Sequence, residues 1–100
     1  MLIHSVYFRL EDASEGATQS LLDAAEKYLT GHPGTVSFAV GTRVADLNRP
    51  VNDDTFDVAL HVVFESRAAH DAYQVAERHE AFIAEQKGNW AEVRVFDSET

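Results

Sequence analysis

The clearest structural signal in this sequence is the stretch FDVALHVVFE, which runs from Phe56 to Glu65. One side of the stretch carries Val58, Leu60, Val62 and Phe64, and the other carries Asp57, Ala59, His61 and Val63. Alternation with period two, rich in β-branched residues, predicts a strand with one buried face. Ser66 follows directly and is a good N-cap, so a helix is predicted from there to about Lys87.

The segments on either side complete a simple pattern. Towards the C terminus, Gly88-Asn89 stops the helix and Ala91–Asp97 alternates as a last strand. Towards the N terminus, the sequence predicts a strand over Leu2–Leu10, a helix over Thr18–Leu29, a strand over Thr35–Val44 and a loop over Ala45–Thr55. The order β-α-β-β-α-β predicts a single α+β domain over residues 1–100 with the ferredoxin-like plan. In that plan a four-stranded antiparallel sheet carries two helices on one face.

Composition narrows the class of function. The chain has 100 residues, a formal net charge of −9 and no cysteine. The negative charge argues against nucleic acid and against an anionic membrane surface as partners. The absence of cysteine excludes disulfides and thiolate chemistry. No apolar run approaches a transmembrane span and no signal peptide is recognisable, so a cytoplasmic location is expected.

The second face of the predicted sheet is too apolar for a water-exposed surface. The residues that mark it are Ile3, Tyr7, Ala59, His61, Val63 and Phe96. An exposed sheet face with several large apolar residues indicates an interface. We therefore expect a homodimer that forms by sheet-to-sheet pairing. The opposite face, with Val6, Phe8, Val93 and Val95 among its members, is expected to pack on the helices.

Two of the five histidines fall on apolar faces. His4 lies in line with inward-facing strand residues, and His79 lies on the apolar stripe of the second helix. Tyr73 precedes His79 by six residues, so a straight helix separates them, but a break near Ala76-Glu77 would bring both to one cleft. Two histidines and a tyrosine in an apolar pocket form a plausible acid–base set. His32 and His70 are instead expected to be solvated.

The same residues give no strong sign of a metal or cofactor. There is no HExxH motif, and no third ligand stands at a convincing spacing from the two histidines. No phosphate-binding glycine motif and no nucleophile elbow is present. No metal and no cofactor is therefore expected.

Taken together, four sequence patterns resemble the stress-responsive dimeric α+β barrel (Dabb) family over nearly the whole chain. The patterns are His4-x-Val6-x-Phe8, Asp57-Val58-x-Leu60-x-Val62-x-Phe64-Glu65-Ser66, Tyr73-x5-His79-x2-Phe82 and Trp90-x2-Val93-x-Val95-Phe96-Asp97. The family includes plant heat-stable stress proteins and olivetolic acid cyclase, a cofactor-free enzyme that closes a polyketide ring. The resemblance implies a ferredoxin-like fold whose sheets pair into a dimeric barrel.

The resemblance also implies a site between sheet and helices. It makes His79 the base, Tyr73 its companion and His4 part of the cavity wall. The implied substrate-binding residues are Leu21, Leu22, Tyr28, Leu60, Phe82, Trp90, Val93 and Val95.

This chain departs from the cyclase at three points. The helix-one tyrosine falls on Ala25, Glu77-Arg78 replaces the proline before the histidine, and Glu85 replaces an apolar pocket residue. The substrate therefore does not carry over.

Three functions remain open from the sequence. The first is a homodimer that binds a small apolar or carbonyl-containing molecule. The residues leave its role undefined, although the family resemblance suggests a link to stress. The second is a cofactor-free acid–base enzyme of the cyclase, isomerase or lyase type with His79 as base. The third is a structural stress protein in which the pocket is incidental.

Overall fold

Four antiparallel strands form one sheet in the computed structural model, which describes residues 1–100. The strands are β1 (Leu2–Leu10), β2 (Thr35–Thr42), β3 (Val58–Phe64) and β4 (Trp90–Glu99). The helices are α1 (Glu15–Leu29), α2 (Arg67–Gln74) and α3 (Glu77–Gln86), and a 3-10 turn (Lys87–Asn89) joins α3 to β4. The strand order is β2-β3-β1-β4, and every neighbouring pair is antiparallel. This arrangement confirms the predicted ferredoxin-like plan. No helix is both long and apolar enough to cross a membrane.

The predicted second helix is in fact two helices. Its N-cap is where the sequence placed it, because Ser66 Oγ accepts a hydrogen bond from the Ala69 N–H at 3.1 Å. The helix then ends at Gln74, and Ala76 adopts an extended backbone conformation before α3 begins. After the break, Arg78 lies beside the C-terminal end of α1. Its guanidinium donates hydrogen bonds to the carbonyl oxygens of Thr30 and Lys27, at 2.8 and 2.6 Å. The first turn of α3 thereby caps the C-terminal end of α1, where a cation is favoured.

The hydrophobic core lies between the helices and the middle of the sheet. The helix-facing residues of β3 are at most 2% exposed, namely Val58, Leu60, Val62 and Phe64. They pack with Val6 and Phe8 of β1 and with Leu21 and Leu29 of α1. The expectation that Val93 and Val95 pack on the helices is only partly correct, because the helices do not bury these two residues. Both lie on that face, opposite Phe8 and Val6, but they remain 39% and 50% exposed because β4 is the edge strand and the helices cover it incompletely.

The other sheet face has no helix over it. The pairing register puts Ile3 beside Val63, Tyr7 beside Ala59, and Ser5 beside both His61 and Phe96. The expected interface residues therefore share this open face. The Tyr7 ring lies 5.8 Å from the rings of His61 and Phe96 (centroid to centroid), and Phe56 packs edge-on against it at 5.0 Å. An aromatic cluster thus occupies the centre of the open face.

Candidate functional site

A cavity of about 170 Å³ lies between α3 and the β1–β4 half of the sheet, on the helix-covered face. Ten of its thirteen lining residues are hydrophobic. Eight of them were predicted site residues: His4, Leu60, Tyr73, His79, Phe82, Trp90, Val93 and Val95. The other five are Val6, Phe8, Leu29, Gln74 and Ile83. Val93 and Val95, which line the cavity on β4, are 39% and 50% exposed, so this side of the cavity borders solvent.

The break between α2 and α3 brings Tyr73 and His79 together. Their rings are 4.7 Å apart (centroid to centroid) and meet edge to face. Tyr73 is the last buried residue of α2 and is 2% exposed, while His79 lies in the first turn of α3. Burial raises the pKa of the Tyr73 phenol, so the hydroxyl stays protonated and acts as a hydrogen-bond donor.

His79 is half-buried, and its pKa is lowered by its surroundings. Its Nδ1 atom is buried and has no hydrogen-bond partner. Burial lowers the pKa of His79 below its usual value, and the neighbouring imidazoles of His4, His32 and His70 lower it further. A neutral imidazole carries one unprotonated nitrogen, which can accept a proton.

The cavity wall holds a second unpartnered polar atom. Trp90 Nε1 is buried without an acceptor, although the indole packs closely against Phe8 and Phe82, with ring centroids 5.0 and 5.7 Å apart. Buried polar atoms in proteins almost always find a partner, and leaving one unpaired costs about 1–3 kcal/mol. The cavity wall therefore carries an indole donor and an imidazole nitrogen that both lack a hydrogen-bond partner within the chain.

His4 is held by a carboxylate that the sequence reasoning did not single out. Its Nδ1 lies 2.5 Å from Oδ1 of Asp97, the residue opposite it in the β1–β4 register. Because an ionised carboxylate only accepts hydrogen bonds, the His4 Nδ1 atom carries a proton in this contact. The signal was present in the sequence, but it appears only once the two strands are paired in register.

The expectation that His32 and His70 are solvated is wrong. His32 is 7% exposed, its Nε2 donates to the Tyr28 carbonyl oxygen at 2.7 Å, and its ring lies edge-on to Tyr73 at 5.0 Å. The His70 side chain is 13% exposed and lies 5.1 Å from His4, centroid to centroid. Both were misread because local sequence shows a turn or a helix start, whereas the fold places α2 and the α1–β2 turn against the same core.

Not all the implied pocket residues reach the cavity. Leu21, Leu22 and Tyr28 lie on α1, where Leu21 is buried in the main core and the other two pack partly against it. Ala25, at the position of the cyclase tyrosine, is also core. Glu85 does not line the cavity either; it borders a polar depression along α1. The cavity is therefore built by α2, α3 and the sheet, with α1 contributing only Leu29.

The chain is similar to known proteins over almost its full length. The family model of the stress responsive A/B barrel domain matches residues 2–100. Among solved structures, a Dabb family protein with a ferredoxin-like fold from Mesorhizobium loti superposes with a TM-score of 0.81 at 22% identity, and covers 99% of this chain and 95% of its own. A dimeric ferredoxin-like protein of unknown function from Thermobifida fusca gives 0.82 at 18% identity, with 99% and 90% covered.

An enzyme also shares the fold. The hydroxynitrile lyase of Passiflora edulis superposes with a TM-score of 0.77 at 18% identity, covering 97% of this chain and 90% of its own. No curated protein sequence matches this chain significantly.

Proposed function

The chain belongs to the stress responsive A/B barrel domain family, and we propose that it works as a homodimer whose subunits each bind a small carbonyl-containing molecule in the sheet–helix cavity. One observation carries the proposal: two buried polar atoms, Trp90 Nε1 and His79 Nδ1, stand unpartnered on an otherwise apolar wall. A carbonyl oxygen on an apolar ligand would accept a hydrogen bond from the Trp90 N–H, and a hydroxyl group on the same ligand would donate one to an unprotonated His79 Nδ1.

The size of the cavity limits the ligand. An apolar cavity of about 150 Å³ accommodates a benzene molecule, and this cavity measures about 170 Å³. The enclosed part of the ligand is therefore the size of a single six-membered ring with a polar substituent. A longer substituent extends past Val93 and Val95 to solvent, since the cavity opens between α3 and β4.

The polar groups favour a carbonyl compound. The Trp90 N–H is a donor only, so it requires an acceptor such as a carbonyl oxygen. Tyr73 supplies a second donor, because its raised pKa keeps the hydroxyl protonated. A plain hydrocarbon would fill the space but leave the Trp90 donor unsatisfied, so oxygenated ligands bind more tightly than their hydrocarbon analogues.

Trp90 provides the experiment, because it is the single tryptophan of the chain. Its indole N–H gives one resolved peak in a ¹H–¹⁵N NMR spectrum, which we expect to shift saturably on titration with benzaldehyde. Benzene serves as the ligand control and should shift the indole peak less. Val93→Phe, which narrows the cavity mouth, should weaken benzaldehyde binding, whereas Val75→Phe on the exposed segment between α2 and α3 should not. An indole peak that is unmoved by oxygenated and hydrocarbon probes alike would favour the structural reading, in which the pocket is incidental.

The dimer part of the proposal rests on the open sheet face. The cluster around Tyr7 and Phe96 is apolar, and Phe96 is 56% exposed in the single chain. Similar structures, including that from Thermobifida fusca, are described as dimeric. Phe96→Asp should convert the dimer to monomers at micromolar concentration in sedimentation velocity, because a desolvated charge in an apolar interface is costly. Val75→Asp, on the opposite side of the molecule, is the matched control and should remain dimeric.

A second function, cofactor-free acid–base catalysis, is favoured by the lowered pKa of His79 beside the Tyr73 ring. In a hydroxynitrile-lyase type of reaction, the imidazole would take the hydroxyl proton of a cyanohydrin while the carbon–carbon bond to cyanide breaks and a carbonyl forms. Mandelonitrile cleavage, followed by the absorbance of benzaldehyde, tests this chemistry. If it occurs, His79→Ala should slow it by about 10²-fold or more, and His61→Ala on the open face should not. Equal rates in parent and His79→Ala would remove the base assignment.

A further inference from the structure

Three potential metal ligands from three different elements meet beside the cavity. They are His4 on β1, His70 on α2 and Asp97 on β4, and each offers one ligand atom within 4.8 Å of the other two. No sequence motif marks this group, because the three residues are separated by 66 and 27 positions along the chain. The group shares His4 with the cavity wall, whereas His70 and Asp97 do not line the cavity.

We propose that His4, His70 and Asp97 form a binding site for a divalent transition-metal ion of the zinc type. Two imidazoles and one carboxylate are a common three-ligand set for zinc, with water completing a tetrahedral shell. The same set excludes magnesium and calcium as preferred occupants, since those ions favour oxygen ligands.

The surroundings of the three residues resemble those of known metal sites. Asp97 is already fixed next to His4 by the strand register, with 2.5 Å between Oδ1 and Nδ1. The Nδ1 atom of His70 lies 3.0 Å from Oδ1 of Asp71. Histidines that bind metals almost always donate their second ring nitrogen to a carboxylate or carbonyl in this way. The contact orients the His70 ring. Its Nε2 lies 3.4 Å from the amide nitrogen of Gln74, a long contact that an ion would replace.

Access and charge also fit an ion. A surface depression of about 310 Å³ is lined by His70 and Asp97 together with Arg67, Ser98 and Glu99. It gives an ion and its water a route from solvent to the exposed Asp97 and the half-buried His70, next to the buried His4. Arg67 is the one cation on this rim, and it pairs with Asp71, with 3.1 Å between Nε and Oδ1. The chain as a whole carries a formal charge of −9, which raises the local concentration of cations.

Binding requires a small local adjustment. Around an ion with bonds of about 2.0–2.1 Å, neighbouring ligand atoms are roughly 3.3 Å apart. Ligand atoms that now span up to 4.8 Å must therefore move closer together, whereas His4 Nδ1 and Asp97 Oδ1, now 2.5 Å apart, must separate. An ion that bridges His4 Nδ1 and Asp97 also displaces the proton between them, either to Nε2 of the same ring or to solvent.

The test uses the untagged full-length chain, first stripped of metal with a chelator. Cobalt(II) reports geometry, and we expect one equivalent per chain with the intense visible bands of a tetrahedral site; zinc should displace it, with the zinc affinity read by calorimetry. His70→Ala should lower the zinc affinity by at least tenfold, and Asp97→Asn should do the same. Asp46→Asn, which neutralises an exposed acid of the β2–β3 loop away from the three ligands, is the matched control for Asp97→Asn and should leave zinc affinity unchanged.

Circular dichroism establishes that each variant is folded, and Asp97→Asn preserves shape if His70→Ala does not fold. Absence of cobalt bands in the parent chain would overturn the proposal, as would equal zinc affinity in the parent and in folded His70→Ala or Asp97→Asn. The indole titration with benzaldehyde is run separately on metal-free protein. A failure of metal binding therefore leaves the ligand proposal standing, and a failure of ligand binding leaves the metal site standing.

Discussion

Strands β3 and β4 both pair with β1, and both alternate apolar residues along their length, yet they lie in different environments. The helix-facing residues of β3 are almost completely excluded from solvent. On β4, Val93, Val95 and Phe96 are 39–56% exposed. The difference comes from cover: α1 and α2 pack over the β3 side of the sheet, whereas β4 is an edge strand that the helices leave partly open.

This difference separates stability from function in one sheet. The β3 side builds the core, and an apolar residue there is needed for folding. The β4 side keeps apolar residues at the surface, where Val93 and Val95 edge the cavity mouth and Phe96 extends the open face. Asp97 on the same strand holds His4. An exposed apolar edge in a small domain usually marks a binding surface, so β4 is where ligand, partner and metal proposals converge.

The sharpest test of this comparison makes the same substitution, valine to alanine, once on each strand. Val62→Ala on β3 should lower the free energy of unfolding by about 2 kcal/mol, because it removes buried methyl groups and leaves a cavity. Val95→Ala on β4 should cost less than about 0.5 kcal/mol, as is usual at exposed positions. Urea unfolding at one protein concentration measures both. Equal losses would mean that β4 is covered in solution in a way that the single chain does not reveal.

A second test disturbs the packing of α2, one of the helices that cover the β3 side of the sheet. Gly34 has a φ of +82°, and a Cβ atom built on it would lie 2.5 Å from Ala69 Cβ on α2. Gly34→Ala should therefore destabilise the protein by about 1–3 kcal/mol, through overpacking as well as backbone strain. Gly31→Ala is the control, since its φ of +75° carries the same strain but nothing lies within 4 Å. The double variant Gly34→Ala/Ala69→Gly should recover the part due to the clash; an identical loss in both single variants would show that α2 is not held that closely.

The smallest expected effect on stability is the pH dependence that His79 contributes. His79 lies beside the cavity, between the helix-covered β3 side and the exposed β4 edge. Because the folded protein lowers the pKa of His79, the unfolded chain binds its proton first as the pH falls. The stabilising contribution of the neutral imidazole is complete above the unfolded pKa of about 6.5 and is lost as the pH falls from there through the lower, folded pKa. Thermal unfolding from pH 7.5 to 5 should show this decline, and His79→Gln should reduce its slope. A slope unchanged by that substitution would assign the decline to other groups.

Much of the fold was readable from local pattern. Strand alternation, the helix predicted over Thr18–Leu29 and the N-cap at Ser66 predicted the order of elements, and the pairing of strands followed from that order. The sequence did not predict the break between α2 and α3, because Val75-Ala76 contains no proline or glycine. The sequence indicated only that a break there would bring Tyr73 and His79 together. Its cause is tertiary: Arg78 caps the end of α1, and that contact fixes where α3 starts.

The site was readable only in part. His4, Tyr73 and His79 were found because each combines a reactive side chain with an apolar face, which is a local property. His32, His70 and Asp97 were missed, since their importance comes from neighbours more than 20 residues away. Leu21 and Leu22 were misplaced because an apolar stripe shows that a residue is buried but not which cavity or core it meets.

By itself, the amino-acid sequence determined the element order, the class of fold, the polarity of each face and the residue types available for chemistry. It did so because hydrogen-bonding geometry and hydrophobic burial impose periods of 2 and 3.6 on any strand or helix. Only the tertiary structure decided which apolar residues are covered, where the second helix divides, and which histidines stand beside Asp97 and Tyr73. These outcomes depend on the register between β1 and β4 and on the packing of α2 and α3, and contacts between distant segments leave no period in the chain.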